Sequence, residues 1–309
     1  MTMRTLQKAC KSYLAKTQFL FHCHFKIKIP CQYGEILLDE CFDLLDTIDC
    51  NYNSYRQGSY FHRINQNAGQ WVPIDEDCFF ILRKTLLVSE CTGGAYNIGC
   101  TPLLRLWGFY RTDHRHIPSD NDIKKLLAKI DYRSIELEGE RVRISADQEL
   151  ITGSFIKSFA VDRLVDFLKS KGVSDAVINA GGSTIFGIND SKHKSWKVNI
   201  PGLDHLNIAS HQTVIRNQCF SLSARSNQPI LVRGREYGHI LDSSTGYPAS
   251  TLQVGVWSDK AFLGDVLSTA IFCVGQNKLE NTLERLRSEF RFDYYRIEEN
   301  GTKTTNLCF

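Results

Sequence analysis

An aspartate and a threonine in the last quarter of the chain have types and a spacing that could bind a metal ion. Asp265 and Thr269 lie four residues apart in the segment 264–270, and on a helix this spacing points both side-chain oxygens in the same direction. A carboxylate and a hydroxyl are hard oxygen ligands, of the kind that hold Mg²⁺ jointly with phosphate groups. An isolated Asp-x-x-x-Thr pair is also common on solvent-exposed helices, so the rest of the sequence has to decide between the two interpretations.

A histidine beside a rigid turn is the candidate for proton transfer. His239 precedes the segment 242–248, in which Gly246 and Pro248 favour a rigid turn. The pKa of an ordinary histidine is about 6.5, so His239 can be neutral at pH 7 and accept a hydroxyl proton. Asp242 could orient the imidazole or pair with another group of the loop. The alternative is a structural histidine that only hydrogen-bonds this loop.

The segment 151–188 is the most informative stretch of the chain. It begins with the small-residue turn 152–154 and continues as a helix with one apolar stripe, which Gly172 ends. Residues 176–178 form a short apolar run typical of a buried strand, and the segment 179–182, Asn-Ala-Gly-Gly, follows. A loop, a helix, a strand and a glycine pair in this order are typical of many nucleotide-binding α/β units.

The same stretch resembles the FAD:protein FMN transferase (ApbE-like) family, which has a Gly-x-x-x-Lys-Gly-x-Ala-x-Asp helix start and, one helix later, Asn-Ala-Gly-Gly. The matching positions are Gly153, Lys157, Ala160, Asp162, Asn179, Ala180, Gly181 and Gly182. Further blocks of the family flank this stretch in the right order, around residues 54–65, 92–109, 223–224, 239–248 and 264–270. The resemblance covers roughly residues 35 to 277.

The resemblance implies a reaction in which FAD binds with Mg²⁺ on its diphosphate. A threonine or serine hydroxyl of an acceptor protein then attacks the FMN-side phosphorus, and AMP leaves. The implied flavin-binding positions are Ser59, Tyr60, Asn97, Trp107, Lys157, Asp162, Gly181, Gly182, Ser223 and His239. The implied metal ligands are Asp265, Thr269 and the main-chain oxygen of Ile156, and the catalytic candidates are His239 and Asp265.

Several positions differ from the family pattern. Asn97 stands where an aspartate is usual and Gly99 where a threonine is common. At the helix start, the usual aspartate, second glycine, alanine and post-lysine glycine are replaced by Ile151, Ser154, Ile156 and Ser158. Two alternatives to the transferase therefore stay open: a family member that binds flavin without transferring it, and an FAD pyrophosphatase that produces FMN and AMP.

The resemblance implies a fold of the α+β class, with mixed sheets and flanking helices, and the composition is that of a globular protein. The chain has 309 residues, 42% hydrophobic and 23% charged, which is ordinary for globular proteins. We interpret residues 1–309 as one ApbE-like unit, since no linker or repeat divides them. A net charge of +3 is too small to indicate nucleic-acid binding, and no apolar stretch reaches the roughly 18 residues of a membrane helix.

The cysteines and the N-terminal residues favour a cytoplasmic protein. The chain has 11 scattered cysteines and no Cys-x-x-Cys pair, which indicates buried thiols in a reducing compartment. The apolar run 19–21 is too short for a signal peptide, and Cys10 lacks the apolar run that precedes a lipoprotein cysteine. Members of the family are, in contrast, often exported and anchored to a membrane.

The hydrophobic pattern predicts the elements that position these residues. Residues 17–29 alternate like one strand, whose polar face carries His22 and His24; this pair could bind a metal or simply face solvent. His114 and His116 are expected to be solvated in a surface excursion. The other predicted elements are helices at 34–50, 77–91 and 279–290, a short helix capped by Ser119, a hairpin at 134–150 and strands at 71–74, 196–200 and 219–224.

Overall fold

The computed structural model describes residues 12–109, 117–225, 230–232 and 235–307. The helices are α1 Gly34–Tyr52, α2 Tyr60–Gln66, α3 Glu76–Cys91, α4 Thr101–Leu106, α5 Asp120–Leu127, α6 Ile156–Ser170, α7 Ala261–Cys273 and α8 Leu279–Glu289. The strands are β1 Tyr13–Leu20, β2 Cys23–Pro30, β3 Val72–Pro73, β4 Glu136–Glu138, β5 Arg141–Arg143, β6 Ala176–Ala180, β7 Thr184–Ile188, β8 Trp196–Ile200, β9 His211–Ile215, β10 Gln218–Ala224, β11 Ile230–Val232, β12 Arg235–Tyr237, β13 Leu241–Asp242, β14 Tyr247–Pro248, β15 Thr251–Ser258, β16 Asp293–Glu298 and β17 Lys303–Thr305.

An eight-stranded antiparallel sheet in the order β1-β2-β6-β7-β10-β15-β16-β17 forms the centre of the described fold. Alternate residues of β2, Phe25, Ile27 and Ile29, are fully buried, which is the pattern of a strand with one face against the core. Helices α1, α6 and α7 pack on that side of the sheet and on one another. The predicted α+β class is confirmed.

A second apolar cluster covers part of the opposite face. The two-stranded β8–β9 ribbon contributes Val198, Ile200 and Ile215, which pack against Phe220 of β10 and Trp257 of β15. The strands β10 and β15 are therefore buried on both faces, and all eight residues of β15 are buried. Helix α7, which crosses these two strands, is held by a rigid support.

The prediction of one strand over residues 17–29 is wrong, because this stretch is a hairpin. Strands β1 and β2 pair along their whole length, and a two-residue turn at Phe21 and His22 joins them. Both turn residues have a positive φ, 52° and 58°, as two-residue hairpin turns require. Glycine and asparagine usually occupy such positions, so the sequence contained no turn signal. The turn also removes His22 from the strand face on which His24 lies.

Most other predicted elements agree with the structure to within a few residues, but the hairpin predicted over 134–150 is shorter, because its strands β4 and β5 lie within 136–143. Gly172 follows α6 with a φ of 78°, and Gly139 forms the β4–β5 turn with a φ of 56°. The Ser119 hydroxyl caps α5 by accepting a hydrogen bond from the Asp122 N–H. His114 and His116 lie outside the described residues. Within the part of the chain that is described, no helix combines the length and the apolar character needed to cross a membrane.

Candidate active site

A cavity of about 300 Å³ opens where the N-terminal turn of α6, the middle of α7 and the end of β10 meet two loops. The loops are the segment 96–100 and the segment 239–243. Six predicted site residues line this cavity: Asn97, Lys157, Ser223, His239, Asp265 and Thr269. These residues are spread over more than 170 positions of the sequence, so the fold has brought them together.

Asp265 and Lys157 form a buried ion pair in the cavity wall. The Lys157 ammonium donates to Asp265 Oδ2 at 2.5 Å, and the two side chains are 16% and 4% exposed. Burial raises the pKa of the Asp265 carboxyl, because desolvation disfavours the charged form. The Lys157 ammonium and the hydroxyls of Ser158 and Thr184 act against this shift of the pKa.

Three hydroxyl groups, those of Thr269, Ser223 and Ser268, form a series of short contacts that begins at Asp265. The Thr269 hydroxyl donates to the Asp265 carbonyl oxygen at 3.0 Å, a common arrangement for a threonine inside a helix. Its oxygen also lies 3.3 Å from Ser223 Oγ, which is 2.8 Å from Ser268 Oγ. These contacts join α7 to the end of β10 and fix the positions of the oxygens that face the cavity.

The donor set fits a divalent cation that is shared with a phosphate ligand. The Asp265 carboxylate and the Thr269 hydroxyl are hard oxygens and line one cavity. Thr184 Oγ1 is buried without a hydrogen bond of normal geometry, and a nearby cation would satisfy it. The Ile156 side chain is 4% exposed and packs into the main core, so only its main-chain oxygen is left for a ligand role. Among the described residues, no three side chains of His, Cys, Asp or Glu come together as a metal-binding group.

The turn beside His239 is held by contacts from three directions. Asp242 accepts hydrogen bonds from the Ser244 N–H at 2.8 Å and the Ser244 hydroxyl at 2.6 Å, so its carboxylate pairs with its own loop. The Trp107 indole N–H donates to the Gly246 carbonyl oxygen at 2.8 Å. Gly246 has a φ of 84°, and a Cβ there would collide with Ile123 Cγ2. The loop that presents His239 is therefore rigid.

Asp162 lies outside the cavity and caps a helix. Its carboxylate accepts hydrogen bonds from the Ala261 and Phe262 N–H groups at 2.8 and 2.9 Å, which are two of the unpaired donors at the start of α7. Burial raises the pKa of Asp162 to about 6. The residue faces a separate, more open depression of about 710 Å³ on the other side of α6. It therefore positions the helix that carries Asp265.

Three further predicted residues, Ser59, Tyr60 and Trp107, are not among the residues that line the cavity. Ser59 caps α2 by accepting from the His62 N–H, and its hydroxyl donates to the Asn53 carbonyl. Tyr60 stacks on Tyr52, with ring centroids 5.5 Å apart. Trp107 is not among the residues that line the cavity, because its ring packs into the cluster under the 239–248 loop.

The glycine pair forms the turn between β6 and β7. Gly181 and Gly182 have φ values of 65° and 73°, which only glycine adopts readily. A Cβ at Gly181 would lie 2.9 Å from Cys23 Cβ, whereas a Cβ at Gly182 would meet nothing within 4 Å. The next residue, Ser183, lines the cavity. The pair thus lets the backbone approach the β1–β2 turn and places Ser183.

Comparison with known proteins decides the family. The model of the ApbE family matches residues 21–292. The chain belongs to the ApbE family. Among curated relatives, the FAD:protein FMN transferase of Treponema pallidum is 26% identical in an alignment 274 residues long that covers 81% of this chain and 75% of the relative. That of Klebsiella pneumoniae is 27% identical in an alignment 257 residues long that covers 80% of this chain and 78% of the relative.

Solved ApbE structures have the same fold. The crystal structure of the ApbE protein of Thermotoga maritima matches with a TM-score of 0.83 and 22% identity, over 95% of this chain and 97% of that one. The flavin transferase ApbE of Vibrio cholerae matches with a TM-score of 0.80 and 20% identity, over 96% and 97% of the two chains. The resemblance to the ApbE family that the sequence motifs indicated is confirmed.

Two departures from the ApbE pattern compensate each other in the 96–100 loop. Asn97 Nδ2 donates to the Ile130 carbonyl oxygen at 2.6 Å, and Asn97 Oδ1 accepts from the Gly99 N–H at 2.8 Å. A Cβ at Gly99 would lie 3.1 Å from Asn97 Oδ1. The missing side chain at position 99 therefore makes room for the amide at position 97.

Another departure from the ApbE pattern lies at the cavity wall. Ser154, which replaces the usual second glycine, has its Oγ 3.0 Å from the Tyr96 hydroxyl, and both residues line the cavity. Sequence reasoning did not assign either residue to the site, although Ser154 was visible as a departure. It also missed Cys273, which lines the cavity one turn after Thr269 on α7. The four-residue spacing from Asp265 to Thr269 to Cys273 was the available signal.

Proposed function

We propose that this chain is an FAD:protein FMN transferase that uses Mg²⁺ and transfers FMN to a threonine or serine hydroxyl of an acceptor protein. The observation that carries the proposal is the convergence of Lys157, Asp265 and Thr269 in one cavity. They come from two of the motifs that resemble the ApbE family, and the family match covers both motifs. The names of the curated relatives support the transfer of FMN from FAD to a protein.

A few polar groups have assigned roles in this reaction. Asp265 and Thr269 would hold the metal, with the Ile156 main-chain oxygen as a third ligand. A bound metal would supply positive charge to the diphosphate of FAD, where negative charge increases in the transition state. Lys157, the only ammonium group among the described residues that line the cavity, adds a second positive charge there.

His239 is the general base. An imidazole nitrogen takes the proton of the acceptor hydroxyl as its oxygen bonds to the FMN-side phosphorus. The bond from that phosphorus to the bridging oxygen breaks, and the electron pair leaves with AMP. The rigid loop of His239 favours this role because a base must be held within hydrogen-bond reach of the hydroxyl.

Product analysis tests the proposal. The purified protein is incubated with FAD, Mg²⁺ and a threonine-bearing acceptor protein, and the nucleotides are separated by chromatography. AMP together with a flavin-labelled acceptor supports transfer. AMP with free FMN indicates a pyrophosphatase, and intact protein-bound FAD indicates a binding protein.

A further inference from the structure

The Lys157–Asp265 pair combines a candidate metal ligand with a positive charge that belongs to the protein. The two side chains come from α6 and α7, and both line the cavity. Asp265 is the only carboxylate among the described residues that line it. In the structure, the charge that a metal would compensate at Asp265 is compensated by Lys157 at 2.5 Å.

The two cations compete for one carboxylate. A buried carboxylate needs a counter-charge, since desolvation without one is very unfavourable. If a divalent cation enters while the ammonium stays, three positive charges surround one negative charge in a site with little water. Lys157 therefore has to leave Asp265 when the metal binds there.

After displacement from Asp265, the Lys157 ammonium needs a new negatively charged partner. Lys157 has a flexible four-carbon side chain. The other described residues that line the cavity carry hydroxyls, apolar groups, an amide, an imidazole and thiols, but no second carboxylate. A new counter-charge must then come from the ligand. A diphosphate provides it, and it also provides the oxygens that complete the coordination of the metal.

We propose that Lys157 is an exchangeable counter-ion, which occupies Asp265 until a divalent metal enters and then pairs with the diphosphate of the bound nucleotide. The metal and the nucleotide then bind cooperatively. The metal releases the Lys157 ammonium for the diphosphate, and the diphosphate provides oxygen ligands for the metal. The diphosphate part rests on the proposed function, whereas the exchange at Asp265 can be tested with the metal alone.

The first test measures metal binding in the absence of nucleotide, with Mn²⁺ as the probe and electron paramagnetic resonance as the readout. Lys157→Gln removes the charge but keeps a hydrogen-bond donor for Asp265. We expect this variant to bind Mn²⁺ at least about tenfold more tightly than the wild type, since no ammonium competes. Lys171→Gln is the matched control, because Lys171 directly follows the same helix and pairs with Glu40 at 2.6 Å on the surface. It should bind Mn²⁺ as the wild type does.

Thermal unfolding gives a second readout. Lys157→Gln should lower the Tm in the absence of metal, and Mn²⁺ should restore it by replacing the lost charge. Adding Asp265→Asn to this variant should abolish both the tight binding and the recovery of the Tm. A lysine with only a structural role would lower the Tm without any recovery by metal.

Equal Mn²⁺ affinity in the wild type and in Lys157→Gln would overturn the proposal, and so would a loss of Tm that Mn²⁺ does not reverse. If Lys157→Gln does not fold, Lys157→Arg decides: its permanent charge should bind Asp265 in the same way and weaken Mn²⁺ binding, and tighter binding would contradict the exchange. None of these measurements involves FAD. A protein that shows the exchange but does not bind FAD would therefore refute the proposed function alone.

Discussion

Asp265 connects the chemistry of the cavity with the stability of the protein. Its carboxylate is the predicted metal ligand and also the partner of Lys157 in the core between α6 and α7. Asp265→Asn should lower the rate of FMN transfer on the order of 100-fold or more, as the loss of one preorganised electrostatic contact does. It should also lower the free energy of unfolding by about 3 kcal/mol, because Lys157 loses its counter-charge.

A surface aspartate provides the control for this variant. Asp166 lies 3.5 Å from Lys260, with about half of each side chain exposed. Asp166→Asn should change the free energy of unfolding by less than about 1 kcal/mol, since water screens such pairs, and it should leave the transfer rate unchanged. Single-turnover rates and urea unfolding measure the two quantities. Wild-type turnover of Asp265→Asn at limiting Mg²⁺ would place the metal elsewhere.

His239 can be separated from a histidine that only stabilises its loop. His239→Gln should lower the single-turnover transfer rate by about 100- to 10,000-fold, the usual contribution of a general base, with nearly unchanged FAD affinity. The Asp242–Ser244 and Trp107–Gly246 contacts hold the loop without the imidazole, so the Tm should stay close to that of the wild type. His24→Gln, on the exposed face of β2, is the control. A joint loss of FAD affinity and Tm would contradict the role as a base.

At the scale of single residues, side-chain chemistry was predictable and backbone partners were not. Lys157, Asp265, Thr269 and His239 were assigned from residue types and family motifs, and they meet in one cavity. Asp162 was assigned to the ligand by the same reasoning, yet its partners are two N–H groups of α7. Backbone donors carry no signature in the sequence, so a motif carboxylate that caps a distant helix is indistinguishable from one that binds a ligand.

Among the elements, α7 depends on the Asp162 cap, and this dependence should appear in the pH profile of stability. Burial raises the pKa of Asp162 to about 6, above its ordinary value of 3.8. A raised pKa in the folded state means that protonation favours folding. The stabilisation of the folded state by protonated Asp162 is therefore complete below about pH 4 and declines as the pH rises through about 6.

Asp162→Asn removes this titration. The free energy of unfolding of the wild type, relative to Asp162→Asn, should fall by roughly 2 kcal/mol between pH 4.5 and pH 7. Urea unfolding of both proteins at the two pH values measures the change. A relative stability that instead rises with pH would mean that the start of α7 stabilises the carboxylate more than burial destabilises it.

The β6–β7 turn offers a matched pair of substitutions. Gly181 and Gly182 both have a positive φ, but only at position 181 would a Cβ collide with a neighbour, Cys23 Cβ at 2.9 Å. Each alanine costs about 1–2 kcal/mol for the backbone conformation. Gly181→Ala should cost about 1–3 kcal/mol more, as overpacking does. If urea unfolding shows equal losses in the free energy of unfolding for the two variants, the β1–β2 turn accommodates the added methyl group without a cost in stability.

The helices were more predictable than the hairpins. The helical pattern of apolar residues in α1, α3 and α6 extends over many residues, and glycine or a capping residue marks several of the helix ends. The β1–β2 turn consists of Phe21 and His22, whose composition indicates a strand. Pairing with β6 and burial of Phe25 against the helices impose the turn, and such tertiary effects are not visible in a local pattern.

For the whole molecule, the fold explains why distant motifs act together. The antiparallel order places β10 between β7 and β15, so α7 crosses the sheet next to the glycine turn and the start of α6. Family motifs predicted the α+β class, but strand order depends on pairings between segments far apart in the sequence. The β8–β9 ribbon on the opposite face was likewise not predicted, although β8 itself was.

The intact mass of an acceptor protein tests the central claim most directly. The acceptor is incubated with the enzyme, FAD and Mg²⁺, alongside three controls: an acceptor with valine in place of its reactive threonine, the Asp265→Asn enzyme, and excess chelator. We expect the mass to increase by one FMN phosphoester in the complete reaction and not in any control. An unchanged acceptor mass in the complete reaction, for acceptors that other ApbE enzymes label, would contradict the assignment as a transferase.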